Sequence, residues 1–242
     1  MVLPITIRES FNLLKTMEIK KFTYLLLMLS SVLFPILLSF DKQVAFYKKW
    51  KSLFWATIIP ASFFIIWDSW FTLRGVWSFN DEYTLGFKIL GLPIEEWLFF
   101  VVIPYCSLFV YEVLKSYFPL LDIEKLAFRT FTLLLIVFTF IAFNSKEHEY
   151  TFWNFTFNAI FLIFLLINKW FKKHQSHLLL AFLINLLPML LVNGVLTSLP
   201  VVKYNINEIS GLMIYTIPTE DFFYFLLLFM MNVFIFERLE RK

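Results

Sequence analysis

Long uncharged apolar runs alternate with short polar, charged segments along almost the whole chain. Residues 22–40, 150–168 and 178–202 contain no Asp, Glu, Lys or Arg. Residues 53–73, 93–111 and 219–236 are as apolar but carry acids near one end: Asp68 in the first, Glu95 and Glu96 in the second, Glu220 and Asp221 in the third. Residues 126–143 make a seventh run, with Arg129 close enough to its end to snorkel. A hydrocarbon core of roughly 30 Å needs about 20 helical residues, so these runs predict an all-α polytopic membrane protein of about seven transmembrane helices.

The chain also repeats. LPIEEWLFF (92–100) and IPTEDFFYF (217–225) stand 125 residues apart, and at that single ungapped offset other residues fall into register. Pro93 meets Pro218, Glu95 meets Glu220, Glu96 meets Asp221, Gly86 meets Gly211, Asn80 meets Asn205, Phe79 meets Tyr204, Asp68 meets Asn193 and Glu112 meets Glu237. The repeat predicts an N-terminal segment (1–21), a first three-span unit (22–114), a connecting helix (115–145) and a second three-span unit (146–242). One extra crossing between the units gives both the same orientation, a parallel pseudo-twofold. Met17, just before EIKK and the first span, is a candidate start of translation. With seven spans, basic residues divide eight on the N-terminal side against thirteen on the other, which predicts an outside N terminus, a cytoplasmic C terminus and carboxylate motifs approached from the non-cytoplasmic face.

Composition narrows the function. The chain is 60% hydrophobic and 21% aromatic with only 16% charged residues, outside the range of soluble domains. One cysteine and three histidines leave neither a disulfide framework nor a metal cluster. Five glycines without a GxGxxG motif exclude a dinucleotide-binding domain, and a scattered net charge of +3 does not suit nucleic acid. No cofactor is expected.

Proline followed by two acids is an ordinary helix start, because the acids complement the helix dipole. The residues before each motif are themselves apolar, however, which places the acids within the hydrocarbon depth, where ionisable groups are costly and usually functional. A buried pair of carboxyls can hold a proton at neutral pH and act as a general acid toward an apolar substrate. Glu95, Glu96, Glu220 and Asp221 are therefore the candidate acid/base residues. Trp77, Trp97, Phe99, Phe100, Phe222 and Tyr224 could offer π faces to a cation, while Asp68, Asn80 and Asn205 are polar candidates for lining the site. Arg74, Asp81 and Glu82 read equally as solvated loop residues, and Glu112 and Glu237 as markers of the opposite interface.

The words WDSWFTLRGVWSFNDEYTLG, LPIEEWLFF, PYCSLFVYE and IPTEDFFYFLLLFMMNVFIFE resemble the membrane-integral lycopene cyclases, a family built from two small related domains. The chain looks like the tandem form without a phytoene synthase domain. The resemblance implies redox-neutral cyclisation of the ψ ends of lycopene, or a related long polyene, to β rings, giving γ- and β-carotene. It also implies a lipid bilayer environment, contact with other carotenoid-pathway enzymes and a bacterial cytoplasmic membrane. Without it, the residues leave open a proton-coupled transporter or a non-catalytic carotenoid-binding scaffold. The last span has no lysine for a retinal Schiff base.

Overall fold

The computed structural model describes residues 18–240. Residues 1–17, with the candidate start at Met17 and most of the predicted N-terminal segment, lie outside them. The helices are α1 (Thr23–Leu38), α2 (Trp50–Arg74), α3 (Ile94–Tyr117), α4 (Glu124–Asn144), α5 (Glu149–Leu166), α6 (Lys169–Ser198) and α7 (Thr219–Glu240). Six are long and apolar enough to cross a membrane; α1, at 16 residues, is a shorter apolar helix. The chain is thus an all-α integral membrane protein, as the apolar runs predict. The largest difference in bounds is at α6, which starts before residue 178 and takes in the charged stretch KKHQSH. Lysine and histidine are acceptable helix formers, and apolar span length does not limit a helix that continues past the hydrocarbon.

Short strands occupy the loops before α3 and α7: β1 (Trp77–Phe79), β2 (Lys88–Ile89), β3 (Leu92–Pro93), β4 (Val202–Tyr204), β5 (Met213–Ile214) and β6 (Ile217–Pro218). β2 pairs with β3 and β5 with β6 as small hairpins. The first hairpin turns through Leu90 and Gly91, both at positive φ (54° and 80°), as a two-residue turn that matches strand twist requires. In the second, Tyr215 takes the same left-handed conformation (58°).

The halves are related by a twofold. β1 and β4, equivalent in the repeat, pair with each other in antiparallel register, and Ser78 faces its own counterpart Lys203. The axis therefore passes between them. Around it, the Asn80 N–H donates to Val201 O at 2.9 Å and the Asn205 N–H to Val76 O at 2.9 Å, one bond repeated 125 residues later. α2, α3, α6 and α7 form the centre, with α2 against α7 and α3 against α6; α1 lies along α3, and α5 along α7. The connecting helix α4 packs beside α5 and α6.

At the end of the bundle remote from the strands, buried Glu112 is paired with Lys49 and Lys115, and buried Glu237 with Lys115 and, at 3.4 Å, His174. Lys49 and His174 are again 125 residues apart. These acids form an ion-pair cluster between the halves. Arg74, read as solvated, is exposed and forms a two-bond pair with Glu149.

Candidate active site

Consecutive residues on a helix point about 100° apart, so the adjacent acids of each motif go to different places. Glu95 turns back to its own loop and accepts the Leu85 N–H at 2.7 Å. Glu220 does the same with the Ser210 N–H, also at 2.7 Å, and takes the Thr151 hydroxyl at 2.6 Å. Each closes the loop that begins at Gly86 or Gly211, both near φ +80°. The second acids, Glu96 and Asp221, point to a cavity of about 410 Å³ between the halves.

The acids adjacent in sequence are therefore not the pair that meets in space. The Glu96 carboxyl lies within hydrogen-bonding reach of Asp68 on α2. Tyr24 donates to Glu96 Oε2 at 2.6 Å, and Tyr224, from the other half, donates to Asp68 Oδ1 at 2.6 Å. Across the cavity, Asp221 accepts from Tyr150 (2.8 Å), Tyr204 (2.9 Å) and the Asn193 amide (3.2 Å). Tyr204 lies on β4, outside the spanning helices; burial, and after it the Asp221 carboxylate, hold its phenol well above the usual range, so it remains a donor. All three acids are buried.

Of the residues expected at the site, Asp68, Trp77, Glu96, Phe99, Asp221 and Tyr224 line the cavity, and the others lie elsewhere. Asn80 and Asn205 build loops, accepting the Glu82 and Asn207 N–H groups at 3.1 Å. Trp97 donates to Ile89 O at 3.3 Å; Phe100 is buried against Phe64 and Phe99; Phe222, half-buried, packs against the core. Tyr24 and Tyr150 were not singled out from the sequence. They are equivalent, one donating to Glu96 and the other to Asp221, but stand 126 residues apart. A one-residue shift at the outer helix hides them from an ungapped comparison.

The surroundings are apolar: Ile103, Val192, Leu196 and Leu228 share the cavity wall with the rings of Trp77, Phe79, Phe99 and Tyr224. Carboxyls meeting carboxyls among such walls can move a proton onto a hydrocarbon, and the rings can face the charge that results. The model of the family described as lycopene cyclase matches residues 21–114 and 147–239, more than half of the chain. The chain belongs to the lycopene cyclase family. Its substrate class is accordingly a carotenoid, and its setting a lipid membrane. No curated relative and no solved structure matches the chain.

Proposed function

We propose that the chain cyclises the ψ ends of lycopene to β rings, with Glu96 and Asp68 as the proton donor and Asp221 as the carboxylate that receives a proton back. Two carboxylates in contact away from water repel strongly, and a proton held between them removes the repulsion. The pair gives that proton to the terminal double bond, leaving a tertiary carbocation. Attack by a neighbouring double bond of the same chain closes the ring and moves the charge onto it. Loss of a ring proton to Asp221 forms the new double bond, and return of that proton to the Glu96–Asp68 pair resets the site. Bonds rearrange without net electron transfer, so substrate and product are isomers.

The rings of Trp77, Phe99 and Tyr224 line the cavity and would face the cation. Three donors on Asp221 suit a group that stays a carboxylate until the last step. Glu95 and Glu220, each clipped to a backbone N–H, hold the motif helices in place and are assigned no proton transfer. The observation that carries the reading is the meeting of Glu96 with Asp68 in an apolar cavity opposite Asp221.

The test is pigment chromatography from a lycopene-accumulating bacterial host expressing the chain alone. β-Carotene supports the reading. Lycopene persisting beside confirmed membrane expression refutes a self-sufficient β-cyclase, and a different ring type refutes the assigned position of proton loss.

A further inference from the structure

Of the residues that line the cavity, the three that are exposed, Ser30, Pro188 and Leu191, all lie on α1 and α6. Between α1 and α6 the cavity wall continues to these residues, which lie near the middle of the apolar runs 22–40 and 178–202 and hence at the depth of hydrocarbon tails. By the twofold, the gap between α5 and α2 is the equivalent place. There the structure holds interlocked rings: Phe63 against Phe157 at 5.3 Å, Trp67 against Phe157 at 4.9 Å and Trp70 against Trp153 at 5.6 Å. None of these five lines the cavity.

The two gaps can be compared position by position. On the central helices, Phe63, Trp67 and Trp70 correspond at the 125-residue offset to Pro188, Val192 and Val195. On the outer helices, with the one-residue shift set by the equivalent tyrosines, Trp153 and Phe157 correspond to Leu27 and Ser31. Every ring of the closed side thus faces a smaller residue on the open side, and all five smaller residues line the cavity.

We infer that the substrate polyene enters sideways from the bilayer through a single portal between α1 and α6, and that the equivalent gap between α2 and α5 is plugged by aromatic side chains. This rests on the cyclase reading for the identity of the occupant, though not for the existence of the portal. A cavity of about 410 Å³ is of ordinary small-molecule size. It accepts one end of a long polyene while the rest of the molecule trails through the portal into lipid. One portal and one cavity mean one end is processed per visit, and the molecule must withdraw and present its other end for the second ring.

Ser31→Phe and Val195→Trp install at the portal the residues that the closed side carries. Cys106, the only cysteine of the chain, lines the cavity with its sulfur 3.5 Å from Ser31 O, and so reports access without relying on turnover. The purified full chain, in vesicles containing lycopene, would be assayed for conversion and, separately, for the rate at which bilayer-soluble phenylmercuric acetate modifies Cys106, read by intact mass. Leu133→Trp, on the exposed face of α4, is the control. Both rates are expected to drop about tenfold or more in both portal variants, equivalent to ~1.4 kcal/mol or more on each barrier, with the control at the wild-type rates. Unchanged Cys106 modification in both variants overturns the portal. If Ser31→Phe does not fold, Val195→Trp decides. If the wild-type chain converts no lycopene, the cyclase reading fails while the Cys106 rates still judge the portal.

Discussion

Glu95 and Glu96 are neighbours of the same residue type, yet their replacement by glutamine should have opposite consequences. In Glu96→Gln the side-chain oxygen can still accept the Tyr24 hydroxyl, now at 2.6 Å, and the new amide can donate to Asp68. Shape and hydrogen bonding survive, but the proton is gone. The second half already contains an amide–carboxylate contact at the equivalent place with the partners exchanged, the Asn193 amide, counterpart of Asp68, donating to Asp221 at 3.2 Å, which argues that such a contact is compatible with folding. Loss of a general acid costs roughly 10²–10⁴ in rate, or about 3–5 kcal/mol of barrier.

Glu95→Gln keeps an acceptor for the Leu85 N–H and loses only the extra strength of a charged one, about 1 kcal/mol of stability. Its turnover per folded molecule should stay within a few-fold of wild type. The assay is initial conversion of lycopene by purified variants in vesicles, normalised to monodisperse protein. If Glu95→Gln abolished turnover at normal yield while Glu96→Gln remained active, the assignment of the acid to the cavity-facing residue would be wrong.

Tyr224→Phe removes the donor to buried Asp68; a hydrogen bond to a charged group contributes about 1.5–3 kcal/mol to stability, so a lowered Tm is expected together with a fall in kcat of roughly tenfold or more in the folded fraction. Lys115→Met strips the shared partner from Glu112 and Glu237. It should lower stability in detergent by roughly 3 kcal/mol, seen as a reduced Tm, while the folded fraction keeps its kcat because the cluster is remote from the cavity. Gly86→Ala forces a side chain into a left-handed backbone with free space around it, costing about 1 kcal/mol from the backbone alone. The Tm of that variant and of Gly211→Ala should shift alike, and unequal shifts would count against the equivalence of the two loops.

The spans were readable because burial in lipid requires long apolar runs, and the repeat because proline, glycine and acids are rare enough in such a chain for their matches to be informative. Choosing between Glu95 and Glu96 was not possible from the motif. Which acid faces the cavity depends on how α3 is rotated, and that is set by packing against α1 and α2. Asp68 and Glu96 lie 28 residues apart on different helices, so their meeting is a tertiary fact. The aromatics chosen for closeness to the motif divided for the same reason: Phe99 and Tyr224 face the cavity, whereas Trp97, Phe100 and Phe222 are turned away. Tyr24 and Tyr150 left a trace in the sequence, but only for a comparison that allows a one-residue shift between outer and central helices.

The same twofold that makes the fold simple would make poor chemistry if it were perfect. An aspartate at position 193 would give the second half its own carboxyl pair beside Asp221, placing four acids around one cavity of about 410 Å³. In low dielectric such a group would repel itself unless it took up additional protons, and a fully protonated site has no base left to remove the ring proton. Asparagine at 193 avoids this by turning one carboxyl–carboxyl contact into an amide–carboxylate contact. The first half retains the contact that can share a proton, and the second has one carboxylate held by three donors. The aromatic plug breaks the symmetry a second time, in access instead of charge. On the proposed mechanism, which begins with proton donation and ends with proton removal, divergence of two equivalent halves would supply two different carboxyl environments facing one substrate without moving the backbone.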